Sequence, residues 1–230
     1  MLLISLLFST AFFLFIFIGF QILRRRKNSL DNSLEKLTDK NKASMLSDYE
    51  KNYEKQEQNL DLIINSIKYA ESKNLQDIKL IWNIAGYINI ISYDLKIIAR
   101  DLTFSRNDWQ KRVYARQASL IIYEATDDLF KLLGKDFIEL TKNRLDISEF
   151  QDDLKDVRKN LNIFKETYSK KLETIRNVAT AHRDKDVLKQ IETIRQINWS
   201  ESLQMITKFD VIINNLAKVI MQAINKGLNI

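Results

Sequence analysis

Along most of this chain apolar residues recur at steps of three and four, the spacing that lines one face of an α-helix. The clearest stripe runs from Leu75 to Leu102 through Ile81, Trp82, Ile88 and Leu95. A second follows Asn107 or Asp108, either of which can cap a helix, and carries Val113, Ala118, Ile122 and Leu129 until Gly134 ends it. A third, with Asp146 or Ser148 as its cap, puts Leu154, Leu161, Phe164, Leu172 and Ala179 on one side. A short amphipathic segment from Val187 to Ile197 and a long one from Trp199 to Ile224 complete the series. Residues 28–59 differ, being charged and polar with sparse points such as Leu34, Leu37 and Tyr49. They read as a solvated helical stalk, and apolar density rises from Leu60 into a first core helix. The pattern predicts an all-α helical bundle with at least four long helices and no sheet.

The beginning of the chain has no such period. Leu2–Leu23 contains no charged residue, and its 22 positions match the roughly 20 apolar residues a helix needs to cross a bilayer. Arg24, Arg25, Arg26 and Lys27 follow at once, and the positive-inside bias holds such a cluster in the cytoplasm. A cleaved signal peptide is the rival reading. It is weakened because no basic residue precedes the run, the run is too long, and the basic cluster occupies the place of a cleavage site. The expected division is a transmembrane anchor at 1–23, a basic collar and helical stalk at 24–59, and a helical bundle at 60–230. The protein is then a single-pass protein of the cell membrane, held in it by residues 2–23, with its C-terminal body cytoplasmic. Asn198-Trp199-Ser200 has the form of a glycosylation sequon, which is inert on that side.

Composition narrows the chemistry. The chain has no proline and only four glycines, which removes the usual helix breakers. Without cysteine there are no disulfides, thiolate ligands or cysteine nucleophiles, and a single histidine rules out a His-rich metal site within one chain. No metal and no cofactor is predicted. The net charge of +6 suggests nucleic acid until it is located. Arg24 to Lys27 contribute +4, residues 28–164 net −2, residues 165–195 net +3 and residues 196–230 net +1. The collar suits anionic headgroups, and a modest surplus surrounds the one histidine. The Asp127-Asp128 pair on the second stripe reads as a solvent-facing carboxylate pair rather than a metal site.

That histidine, His182, stands six positions after Arg176 and five after Asn177, so a cation, an amide and a titratable imidazole fall within two helical turns. Arginine offers a planar fork of donors that fits phosphate oxygens, and imidazole exchanges protons near neutrality. Arg176-Asn177-x4-His182, late in an all-helical chain, resembles the R-x4-6-H signature of the HEPN (higher eukaryotes and prokaryotes nucleotide-binding) superfamily. In those families the arginine is commonly followed by Asn, as here. The commonest gap between Arg and His is four residues, whereas this chain has five. At about 100° per residue, Arg176 and His182 lie about 120° apart on an unbroken α-helix, so a helix end or a second subunit must bring them together.

The resemblance implies a metal-independent endoribonuclease of the toxin–antitoxin and phage-defence kind. Catalytic roles would fall to Arg176, Asn177 and His182, with RNA as substrate, a homodimer bringing two motifs together, and a protein partner or antitoxin as regulator. The alternative from the residues alone is a non-enzymatic membrane-anchored helical adaptor or binding protein, in which His182 is a partly buried histidine bonded to a carbonyl and Arg176 an interhelix ion-pair residue. His182-Arg183-Asp184 spells the start of a kinase catalytic loop. No glycine-rich loop precedes it, however, and Lys189 stands where that loop requires Asn.

Overall fold

Lys27–Ser72 contains neither proline nor glycine and forms one uninterrupted helix of 46 residues, α1, about 69 Å long at 1.5 Å per residue. The computed structural model describes residues 27–144, 151–180 and 184–227, and the expected membrane span at 2–23 lies outside them. Among the described residues no helix is long and apolar enough to cross a membrane, and there is no strand. The stretch read as a solvated stalk belongs to the same helix as the first core turns. Its sparse apolar points form a contact line, with Leu34 and Tyr49 buried and Tyr49 meeting Phe104 edge-on at 6.3 Å between centroids.

At the end of α1, Asn74 takes a left-handed conformation (φ 54°) and Leu75 N–H returns to Ala70 O at 2.8 Å. Asn tolerates this geometry better than most residues, and it reverses the chain tightly. Helix α2 (Gln76–Phe104) then runs back along α1, with cross-pairs Glu71–Lys79 at 2.8 Å, Glu57–Tyr93 at 2.8 Å and Glu50–Arg100 at 3.6 Å fixing the antiparallel register. Gly86 lets the two helices approach closely, since a Cβ there would lie 3.2 Å from Ile63 Cγ2.

Asn107 caps α3 (Asp108–Leu132), as its place in the sequence predicts. Its Oδ1 accepts from the backbone N–H of Trp109 at 2.8 Å and of Gln110 at 3.2 Å. Asn107→Ala is expected to cost about 1 kcal/mol, the usual value of an N-cap side chain, read as a lower midpoint in urea unfolding with unchanged slope. Gly134 follows the helix at a point where a Cβ would sit 2.7 Å from Lys131 O, so any side chain would push the turn open. The short helix α4 (Lys135–Arg144), which buries Phe137 and Leu140, was not anticipated because ten residues are too few to display a period.

The predicted caps Asp146 and Ser148 lie outside the described residues. Helix α5 (Gln151–Thr174) continues directly into Ile175–Thr180, and then come α6 (Val187–Gln196) and α7 (Trp199–Gly227). Asn198 of the sequon pattern serves as a helix cap, its Oδ1 accepting from Glu201 N–H at 3.1 Å. Helix α5 runs antiparallel to α3 through Lys165–Asp127 at 2.8 Å, and antiparallel to α7 through Lys171–Glu201 at 2.7 Å and Lys208–Tyr168 at 3.0 Å. Helix α7 packs on α2, α3 and α5 and supplies much of the core, with Ile206, Phe209, Ile213 and Leu216 fully buried. Buried hydroxyls on α3 and α7 are satisfied locally, as when Ser119, Thr126 and Thr207 each donate to the carbonyl four residues back.

Candidate functional site

The regular turn of α5 gives way at Ile175 to a π-helical turn through Thr180, and the motif begins inside it. Thr180 Oγ1 donates to Ile175 O, five residues back, at 3.0 Å, while Ile175, Val178 and Ala179 are buried. A π turn accommodates one residue more than an α turn, and such bulges recur at functional sites. Arg176 and Asn177 project from it.

Arg176 is positioned from three directions. Its Nε donates to Glu124 Oε1 of α3 at 2.6 Å, its guanidinium lies 5.2 Å from the centre of the Tyr123 ring, and Nη1 donates to Asn177 Oδ1 at 3.1 Å. The side chain keeps 25 % of its surface exposed, so the cation is held in a fixed plane at the protein surface. Two turns earlier on α3, Arg116 donates from Nη1 to Ala179 O at 2.9 Å, gripping the end of the π turn. Together, Glu124 and Arg116 clamp the motif-bearing turn to α3.

His182, with Ala181 and Arg183, lies outside the described residues. The structure brings Arg176 and Asn177 together and shows how the far flank is secured. Asp184 N–H donates to Val178 O at 3.1 Å. The Asp184 carboxylate accepts from Lys189 Nζ at 2.5 Å and from Asp186 N–H at 3.0 Å, and Gln190 Nε2 donates to Asp184 O. Lys189 first, then the Asp186 N–H, hold the Asp184 carboxyl below its ordinary pKa. Asp186 in turn caps α6 by accepting from Lys189 N–H at 3.1 Å.

A groove of about 240 Å³ runs beside Arg176 between α3 and α5, lined by Tyr123, Asp127, Lys165, Ser169 and Glu173 among others. The two carboxylates of the Asp127-Asp128 pair are engaged in ion pairs and a hydrogen bond, Asp127 with Lys165 at 2.8 Å and Asp128 with Lys131 at 2.9 Å and the Tyr87 hydroxyl at 3.0 Å. Sequence reasoning missed Glu124, Tyr123 and Arg116. Glu124 and Arg116 lie eight positions apart on one helix, which puts them on the same side. Nothing local, however, links them to residues more than fifty positions later.

Comparison with known proteins agrees with the HEPN resemblance. Residues 137–226 match the AbiU2 family (HEPN_AbiU2), a stretch that begins inside α4 and ends in α7, with Arg176, Asn177 and His182 within it. No curated protein and no solved structure matches the chain. Helix α3, which holds Arg176 in place, precedes the matched stretch. Over residues 137–226 the chain is therefore similar to the HEPN-type AbiU2 family.

Proposed function

We propose that the chain is a membrane-anchored, metal-independent endoribonuclease acting in abortive infection or phage defence. The observation that carries this is the Arg176–Asn177 pair on a π turn, its guanidinium plane fixed by Glu124 and Tyr123, within a segment that matches a HEPN-type family. In the proposed reaction the 2′-oxygen of RNA attacks the adjacent phosphorus and the 5′-oxygen departs, leaving a 2′,3′-cyclic phosphate. The imidazole of His182 transfers the proton, Arg176 neutralises charge growing on the phosphoryl oxygens, and Asn177 orients one of them. The π turn also supports the unusual spacing. It takes up one residue between Ile175 and Thr180, which offsets the one residue that this motif has beyond the commonest gap. A homodimer would bring two motifs to one phosphate, and a protein partner or antitoxin would hold the activity in check.

The adaptor reading also has an observation in its favour, because Arg176 makes the interhelix ion pair with Glu124 that such a role requires. The two readings separate at Glu124. For a nuclease, Glu124→Ala lets the guanidinium swing, and cleavage of labelled RNA is expected to fall by roughly tenfold to a hundredfold, the cost of misplacing a reacting group by about 1 Å. Glu124→Gln keeps an acceptor in place and is expected to lose less. An adaptor would show no cleavage in any form.

The anchor is tested by fractionation. Full-length protein is expected to pellet with membranes through carbonate washing and to be released by detergent. Recovery in the soluble fraction, or a mature N-terminus beyond residue 20, would remove residues 2–23 as an anchor.

A further inference from the structure

A second concavity lies away from the motif, between α1, α2 and α7, with a cavity of about 100 Å³. The antiparallel register of α1 and α2, in which Glu57 meets Tyr93 and Gly86 lies against Ile63, sorts its lining by polarity along its length. At one end stand Asn52 and Gln56 of α1 with Ser92 and Lys96 of α2; at the other stand Leu62 of α1, Trp82 of α2 and Met221 of α7. From Asn52 to Leu62 the groove extends about 15 Å at 1.5 Å per residue, long enough for a head group and a short alkyl chain.

The polar end carries no net charge. Lys96, only 5 % exposed, gives one N–H to Ser92 Oγ at 2.6 Å, and the Asp210 carboxyl of α7 accepts from the same hydroxyl at 3.4 Å. Lys96 and Asp210 offset each other, either as ions or as the neutral amine and acid toward which burial moves both pKa values. In either state Lys96 keeps an N–H beyond the one it gives to Ser92. Lys55, at the rim, is already engaged within the protein.

What the groove has in surplus is acceptors. Three asparagines of its lining spend their amide nitrogens on the protein, Asn52 Nδ2 donating to Asp48 O at 2.8 Å, Asn89 Nδ2 to Gln56 O at 3.4 Å and Asn214 Nδ2 to Asp210 Oδ2 at 2.8 Å. Each of those partners is itself an oxygen, which fixes the orientation of the amide and leaves its Oδ1 to accept from elsewhere. Gln56 Oε1, buried at the same end, has no hydrogen-bond partner among the described residues. A buried oxygen in that position bears its full desolvation cost until a donor reaches it.

We propose that this groove binds an uncharged amphiphile with a hydroxylated head, which donates to Gln56 Oε1 and the asparagine carbonyls and accepts from Lys96 while its alkyl chain runs along Trp82 toward Met221. A hydroxyl is a neutral group that serves acceptors and a lysine N–H together. An anion would meet the acceptor oxygens, a cation would meet Lys96, and a wholly apolar ligand would leave Gln56 Oε1 unpaired. A sugar without a chain would leave the tryptophan end empty. This site is independent of the nuclease and anchor readings and stands or falls without them.

The test is photolabelling of the purified full-length chain, in the presence of phosphatidylcholine nanodiscs, with a 1-octanoylglycerol carrying a diazirine near the end of its acyl chain. Peptides containing Trp82 and Met221 are expected to carry the label, and excess 1-octanoylglycerol should displace it. Methyl octanoate accepts but cannot donate, and octanoate is charged. At equal mole fraction in the bilayer each should compete about tenfold more weakly, the order expected for one or two neutral hydrogen bonds. Octyl glucoside distinguishes the source of the head. Competition stronger than that of 1-octanoylglycerol indicates a glycoside, and weaker competition a glycerol ester. Ala217→Phe fills the groove and is expected to abolish labelling. Gln56→Leu keeps the shape but removes the unpaired acceptor, and should cut the advantage of 1-octanoylglycerol over methyl octanoate by roughly fivefold. If Ala217→Phe fails to fold, the Gln56→Leu and methyl octanoate arms decide. Label spread evenly over the chain, label unchanged by Ala217→Phe, or competition by methyl octanoate or octanoate equal to that of 1-octanoylglycerol would overturn the proposal.

Discussion

Arg176→Ala and His182→Ala are each expected to lower RNA cleavage in EDTA by on the order of a hundredfold or more, the usual cost of losing a proton carrier or a partner to developing phosphoryl charge. The double variant should lose little beyond the worse single one, because groups that act on one step are not additive. Arg183→Ala and Lys185→Ala should instead weaken RNA binding and flatten its salt dependence slightly, as peripheral phosphate contacts do. Circular dichroism must show each variant folded, and for Arg176→Ala this matters doubly because the substitution also releases Glu124. Equal cleavage by all variants, or cleavage abolished by EDTA, would falsify the mechanism. No cleavage by the wild type under any condition would leave the adaptor reading.

Phe209→Ala is expected to have the largest effect on stability, a loss of about 3–5 kcal/mol. Phe209 is fully buried, and its ring lies 5.1 Å from that of Phe164, which in turn lies 4.8 Å from Tyr168. The aromatic cluster joins α7 to the helix that carries the motif, so truncation leaves a cavity that neither rigid helix can close. For a chain of this size the melting temperature should fall by on the order of 10 °C. A change under about 1 kcal/mol in denaturant unfolding would mean that α5 and α7 do not depend on this contact.

Much of the fold was legible because apolar burial and helical period are the same signal. The stripes at 75–102, 107–134 and 199–224 became α2, α3 and α7, and Asn107 caps the second because its side chain reaches donors two and three residues ahead. The stalk reading misjudged Tyr49 and Leu34, since a thin line of apolar points suffices for contact when the partner helix is richly apolar. At the proposed site, the sequence marks Arg176, Asn177 and His182 as candidates by type and spacing. It conceals the π turn because a one-residue shift in hydrogen bonding barely disturbs the apolar phase at Leu172, Ile175 and Ala179. It conceals Glu124 for a different reason, because that contact spans 52 residues and exists only once α3 and α5 lie side by side.

The unbroken course of α1 sets a height scale for the molecule. Glu35 meets Lys111 at 2.5 Å, so the start of α3 lies level with the second or third turn of α1, about 12 Å along its axis from Lys27. Arg116 and Glu124, which clamp the π turn, then stand roughly 20 and 31 Å along that axis. With the proposed anchor in the bilayer, Arg176 works within a few nanometres of the headgroups. Folded RNA approaching there meets an anionic surface whose repulsion extends about 8–10 Å at physiological ionic strength. Slender single strands and loose ends would enter that gap more readily than bulky folded RNAs, so distance from the membrane would itself discriminate among substrates.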